Sequence, residues 1–550
     1  MASNQVPGEV PRYSFKHAGL GEIQGIVRGG DFVQFRGIPF ADIPARFRQS
    51  SLRTTLPQQP FDASQPGPTC PQLTSQTFPS FWGGPLADDG IILDKPKADE
   101  FGCLNLNITA SRDVLEGHDK VPVLVFIHGG GFTVGSSSLQ VADREIYDGI
   151  RLAQRSVYLG RPIVVVSINY RLGPLGFLAS TELEAFNKHH GEAVGNYGLH
   201  DQRQALEWVS QFIGDFGGDA QNVTIQGGSA GGASCHFQAQ FRDAKMKRAI
   251  LSSGTVLALG AMPIDYHQDR FNNLVSKFCL DSQDAVEGLS SVQVEELVDY
   301  PIAGFYYPVI ENEWIKGRTA TALQKKPTSV ELLIGSCAFE QDLTLSMMGA
   351  LDPANPRSDK ALRDLMREVL TTAGLTSNVE DLFSPSILDA YNLSGTLETP
   401  SKNLVGWAEL VADLVFRIPP YLIGLKNPGA NVYLYDFQAE NPFPGWEIGY
   451  RKSNHAISDI FLFNAAEDLV VEKHRAEYVG AVHQLQKDWL QFCYGELNWE
   501  PFRAGDEERL GPVYTLANHG KSNKYDSLEA ALGETVANKW KAVLKAAETL

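Results

Sequence analysis

With 550 residues, 43% of them hydrophobic and 20% charged, the chain has the composition of a globular protein with a large core, and that core needs neither a metal nor a disulfide framework. A formal net charge of −18 sets the surface against phosphate backbones, so nucleic acid is excluded as the expected partner. No apolar run reaches the roughly 18–20 residues that span a bilayer, and the six cysteines lack the C-x-x-C pairing of a zinc site.

The N-terminal stretch carries no basic start followed by an apolar core, so with Met1 as the native start no secretory signal is expected and the protein is placed in the cytoplasm. Residues 21–40 alternate apolar and polar side chains around Gly29-Gly30, which predicts a β-hairpin leading into an edge strand. From Pro57 to Asp99 the chain is rich in Pro, Gly, Ser and Asp and reads as a long excursion; Cys70 and Cys103 bracket most of it. Continuous apolar runs at 121–128 and 162–170 predict strands buried on both faces.

A helix is expected at 201–213, where Ala205, Leu206, Trp208, Val209 and Phe212 recur near helical spacing. Strands follow at 222–227 and 248–253, with a helix between them. Residues 258–325 read as irregular and helical. Buried-strand patterns resume at 331–336 and 430–437 around a helical insertion at 358–425. Strands alternating with helices imply an α/β architecture with a mostly parallel sheet, and no repeat or low-complexity tract divides it. Residues 1–550 are therefore expected to form one catalytic domain with long insertions.

Two motifs carry chemistry. Gly227-Gly228-Ser229-Ala230-Gly231 follows a predicted strand and precedes a predicted helix. A turn that tight exposes the serine hydroxyl at a strained backbone angle and aims the new helix's amides at it. His128-Gly129-Gly130-Gly131-Phe132 ends another buried strand. A glycine triplet can turn its N–H groups towards a developing oxyanion without side-chain obstruction.

These motifs belong to long collinear segments: 37–48, 102–108, 169–178, 195–209, 216–232 and 251–254. Together they resemble the type-B carboxylesterase and lipase family, which includes the cholinesterases, in a form expected of a fungal or microbial carboxylesterase. The resemblance implies the α/β-hydrolase fold, with a gorge leading to Ser229. It places the catalytic acid at Glu340, five residues after Gly335, and the base at His455 within Ser453–Asn464, a choice that twelve histidines leave open on residue type alone. It also implies an oxyanion hole from the amides of Gly130, Gly131 and Ala230. The expected substrate is a small-to-medium neutral ester, with no metal or organic cofactor.

The same triad would serve acyl transfer to an alcohol or amine, or lactone formation, whereas a non-catalytic adhesion role fits poorly with three retained triad positions. Most of the family carries glutamate where this chain has Gly228, which implies a lost negative charge and extra volume beside the nucleophile. Cys70 and Cys103 resemble the family's first disulfide, their bonding here depending on the redox compartment, and the loop between them, 70–103, bears Phe78, Phe81, Trp82, Leu86, Ile91 and Ile92, either as an apolar lid or gorge wall or packed on the core. Cys235, Cys337 and Cys493 are expected as buried thiols.

Overall fold

A computed structural model describes residues 10–547 apart from 74–93, 142–143, 242, 301–305, 318–328, 349–356, 374–378, 394–397, 428–430, 445–447 and 504–509. Its frame is a thirteen-stranded sheet. Twelve strands follow in chain order as β1 (Arg12–His17), β2 (Gly21–Arg28), β3 (Phe32–Pro39), β4 (Asn105–Ser111), β5 (Val121–Ile127) and β6 (Val164–Ile168). They continue as β7 (Gly218–Gly228), β8 (Arg248–Ser252), β9 (Glu331–Cys337), β10 (Val432–Phe437), β11 (Val513–Leu516) and β12 (Ser522–Tyr525).

The order across the sheet is β1-β2-β3-β4-β6-β5-β7-β8-β9-β10-β11-β12, and a short strand at Phe61–Asp62 pairs with β2. From β6 to β11 every pairing is parallel; antiparallel strands finish both ends. This is the α/β-hydrolase architecture that the resemblance implies.

The central strands are apolar because both faces of the sheet are covered. Along β5, Val123, Val125 and Ile127 enter one buried cluster, while Leu124 and Phe126 enter the other. Strand geometry sends successive side chains to opposite faces, so a continuous apolar run is what a two-sided core demands.

Helices used below are α1 (Tyr197–Phe212), α2 (Ala230–Ala239), α3 (Gln341–Met347), α4 (Asp359–Ala373), α5 (Leu404–Ala412), α6 (Pro419–Lys426), α7 (Ile457–Phe463), α8 (Glu472–Tyr494) and α9 (Glu534–Ala547). α1 buries Ala205, Leu206, Trp208 and Val209 as the spacing predicts, but begins earlier, at Tyr197.

The hairpin at 21–40 forms, yet it does not lead into an edge. β3 is sandwiched between β2 and β4, and β1 takes the outer position. The reason lies in β4, whose polar residues find partners inside the sheet: Gln34 Nε2 donates to Thr109 Oγ1 at 3.2 Å, and Asn107 Nδ2 donates to Ser138 Oγ at 2.9 Å. With those groups satisfied, a strand half made of polar residues can be buried.

The helices between β9 and β10 are joined at a π-turn, Asp413–Arg417. Asp413 is buried and accepts hydrogen bonds from Tyr391 Oη and Trp540 Nε1, both at 2.8 Å, and from Arg417 Nη1 at 3.2 Å. One carboxylate thereby ties the insertion to α9. Replacing Asp413 with alanine leaves the Arg417 guanidinium only Asp436, at 3.8 Å, as a counter-ion among the described residues and strands two donors, so the variant is expected to lose about 3 kcal/mol of stability. A lowered thermal unfolding midpoint checks this, and an unchanged midpoint would contradict it.

Candidate active site

Four parallel strands end side by side, with Ile127 paired to Gly227, Gly228 to Ser252, and Ser252 to Gly335. Ligand sites in open α/β sheets lie at such carboxyl ends. Ser229 is the first residue beyond β7 and takes φ 55° and ψ −124°, a backbone region that a side chain enters only under constraint. The constraint is visible: Ser229 N donates to Ser252 O at 2.9 Å, and Ser229 O accepts from Ala233 N at 3.0 Å. Gly231 permits the approach of α2 to β5, since a Cβ there would stand 2.0 Å from Ile127 O.

Glu340 follows β9 and is fully buried. Its Oε1 accepts from Cys337 N at 2.9 Å, and its Oε2 lies 2.5 Å from His455 Nδ1. The two loops are clasped by backbone as well. Phe339 N donates to Ser453 O at 2.8 Å, Ser453 Oγ donates to Phe437 O at 2.5 Å, and Asp342 Oδ1 accepts from His455 N at 3.0 Å. The Phe416 ring, in the π-turn, packs 4.8 Å from the imidazole.

His455 Nε2 has no hydrogen-bond partner among the described residues. Ser229 and His455 both line one cavity of about 540 Å³. Burial works to lower the His455 pKa, but the charge and hydrogen bond of Glu340 outweigh it, with Asp342 and Asp459 adding to them, and the net shift is upward.

Gly130 and Gly131 line the same cavity. Gly130 takes φ +109°, a value glycine reaches freely, and its carbonyl accepts from Thr133 N and Val134 N, each at 3.0 Å. The turn is anchored by His128, whose carbonyl accepts from Tyr170 Oη at 2.9 Å and whose ring stacks on Tyr170 at 4.5 Å. Burial holds the His128 imidazole down to about 4, so this histidine is neutral scaffolding near pH 7. The N–H groups of Gly130, Gly131 and Ala230 donate to no protein acceptor among the described residues. Ala230 begins α2 and is itself buried.

Two expectations are corrected. Cys70 and Cys103 are free, buried thiols, not a disulfide: Cys70 Sγ donates to Pro71 O at 3.4 Å, and Cys103 Sγ donates to Glu100 O at 3.5 Å. The six aromatic and aliphatic residues proposed as a lid lie outside the described residues. The extra volume expected beside Gly228 is also missing, because the Asp459 carboxylate fills it; a Cβ on residue 228 would meet Asp459 Oδ2 at 2.1 Å. Cys235, Cys337 and Cys493 are buried thiols as expected, and Cys279 is exposed.

Residues that sequence reading missed include Asp342 and Asp459, both lining the cavity. Each stands close in sequence to a residue already singled out, Asp342 just beyond Glu340 and Asp459 one helical turn beyond His455. Burial lifts Asp342 to about 6 against the pull of His455. It lifts Asp459 to about 7 against a hydrogen bond from Gln226 and the same imidazole.

Residues 15–493 match the model of the carboxylesterase family. The chain is 30% identical to carboxylesterase 3B of Mus musculus over 450 residues, covering 78% of this chain and 71% of that protein. It is 26% identical to para-nitrobenzyl esterase of Bacillus subtilis over 547 residues, covering 94% and 98%. It is 27% identical to lipase 3 of Yarrowia lipolytica over 533 residues, covering 91% and 93%. Among solved structures, a thermophilic PNB esterase superposes with a TM-score of 0.73 at 22% identity, covering 95% of this chain and 99% of the other. The chain therefore belongs to the carboxylesterase family, and it is a carboxylic ester hydrolase. Among the described residues no helix is long and apolar enough to cross a membrane.

If Glu340 is what lifts His455, Glu340→Gln leaves burial as the main influence and the imidazole should titrate lower than in the wild type. Histidine NMR titration reads this directly. An unchanged or higher value would show that the 2.5 Å contact does not govern the base.

Proposed function

We propose that the chain hydrolyses small-to-medium neutral esters through an acyl-enzyme on Ser229, with His455 as the base and Glu340 as its partner, all within one catalytic unit spanning the chain. The observation that carries this reading is the Glu340–His455 contact beside a cavity shared with Ser229, Gly130 and Gly131. His455 Nε2 takes the serine proton as Oγ attacks the ester carbonyl, then returns it to the departing alcohol. Glu340 keeps the proton on Nδ1, which leaves Nε2 as the accepting nitrogen, and stabilises the imidazolium as it forms. The unengaged amides of Gly130, Gly131 and Ala230 receive the oxyanion. Water repeats the sequence on the acyl-enzyme and releases the acid.

A neutral substrate fits the cavity wall, which is largely apolar: Leu259, Val298, Leu343, Met347, Val411 and Val415 line it. Burial lifts Asp459 to about 7, so near neutral pH it does not present a full anion to a cationic ligand, while Asp342, lifted to about 6, is engaged by His455 N. The cytoplasm is the proposed compartment, where the adjacent thiols of Cys70 and Cys103 would stay reduced.

Ser229→Ala should abolish labelling by a fluorophosphonate probe, and Ser229→Ala or His455→Ala should each cost several orders of magnitude in kcat for a benzyl ester such as a para-nitrobenzyl carboxylate. Labelling that survives in Ser229→Ala would remove this serine from the mechanism. On a panel with matched acyl chains, neutral alkyl and aryl esters should exceed acylcholines in kcat/KM. Faster turnover of acylcholines would overturn the substrate class.

A further inference from the structure

A buried carboxyl that the triad does not use stands at the junction of the nucleophile's strand and the base's helix. Asp459 lies on α7, which begins just after His455, and its side chain crosses to β7. There Asp459 Oδ1 accepts from Gln226 Nε2 at 3.1 Å. Its other oxygen occupies the place where any side chain at position 228 would start: a Cβ on Gly228 would lie 2.1 Å from Oδ2, 2.9 Å from Cγ and 3.1 Å from Oδ1. Asp459 is 2% exposed and lines the active-site cavity. Aspartate has only two side-chain torsions, so an overlap that deep is relieved either by turning the carboxyl away from Gln226 or by moving backbone. The nearest backbone to give way is that of Gly228 and Ser229, already held at an unfavourable angle.

We infer that Asp459 is a positioning residue for the hydrolysis, fixing the nucleophile's turn against the helix that starts at the base, and that residue 228 must be glycine because Asp459 occupies its side-chain space. This rests on the triad assignment proposed above. The carboxyl also has an electrostatic arm. The titratable groups that feel it are His455 at the head of its own helix, Tyr147, Cys235 of α2 and Tyr435 of β10. When ionised it favours the imidazolium of His455, adding to the larger influence of Glu340 and that of Asp342, so it contributes to the pH range in which the base is free to accept a proton.

The test is a suppressor experiment with a pH arm, read as kcat/KM on a neutral aryl ester, with thermal unfolding recorded for each variant. Gly228→Ala should lose about 10²-fold, the cost of a displacement of roughly 1 Å at a reacting centre. Asp459→Gly alone should lose activity as the turn is no longer fixed, and Gly228→Ala combined with Asp459→Gly should fall no lower than that single variant, because the second change vacates the space. Separately, Asp459→Asn preserves the shape and removes the charge, so the acid limb of its kcat/KM profile should move to lower pH, a shift that a purely structural role would not produce. Wild-type activity in Gly228→Ala, a double variant no better than the product of its single changes, or an acid limb unmoved in Asp459→Asn would each overturn the inference. Should Gly228→Ala fail to fold, the Asp459→Asn profile decides alone. Fluorophosphonate labelling at Ser229 in the wild type keeps the two readings distinct: its absence defeats the triad, whereas failed rescue with labelling intact defeats only the role of Asp459.

Discussion

The 2.5 Å contact between Glu340 and His455 joins residues 115 positions apart in the chain, and the rest of the site is built to make it possible. Neither group would hold its place alone. Glu340 is fully buried, a costly position for a carboxylate unless its lone pairs are met, and Cys337 N meets one of them. His455 sits on a loop with no regular structure of its own, and that loop borrows rigidity from the ends of β9 and β10 through Phe339, Ser453 and Phe437. The sheet therefore does more than present a serine. It supplies the stiff edges against which an acid and a base, contributed by separate crossovers, are pressed together.

The cavity has two kinds of wall. One is the set of parallel strand ends, with Gly130 and Ser229 fixed by backbone hydrogen bonds and Gly131 by one from Thr133 Oγ1. The other comes from the helices inserted between β9 and β10, which bring Val411, Val415 and Phe416 to the opposite side. The first wall has little freedom to vary, because its spacing is set by close backbone approaches such as that of Gly231 to Ile127. The second is made of side chains on helices, where volume can change by substitution. On the proposed reading, chemistry and substrate fit fall to different parts of the chain, meeting at Phe416 and His455.

Much of this was legible in the sequence. Runs such as Val121–Ile127 and Val164–Ile168 announce strands covered on both faces, and the glycine pattern around Ser229 announces the turn between strand and helix. What escaped did so for physical reasons. β4 is half polar, and nothing in its own residues reveals that Ser138 and Gln34 wait to satisfy it. α8 carries Tyr478, Val482, Leu485, Trp489 and Phe492 at helical spacing, a signal that was present and unused. Glu340 and His455 could not be chosen by residue type, since an acid opening a helix and a histidine on a loop are ordinary features; only similarity along the whole chain singled them out. Asp459 was invisible for the converse reason. An acid in the first turn of a helix reads as a favourable end charge, and its reach to Gly228 exists only in three dimensions.

The hydrogen bond from Trp540 to Asp413 has a consequence for how the protein is made. Asp413 begins the same short turn that seats Phe416 on the imidazole, so the wall behind His455 is braced by a residue of α9. During synthesis the strands that form the nucleophile's turn leave the ribosome hundreds of residues before that brace does. A nascent chain can therefore form the strands around Ser229 early, yet it acquires a fully backed histidine only once Trp540 has emerged.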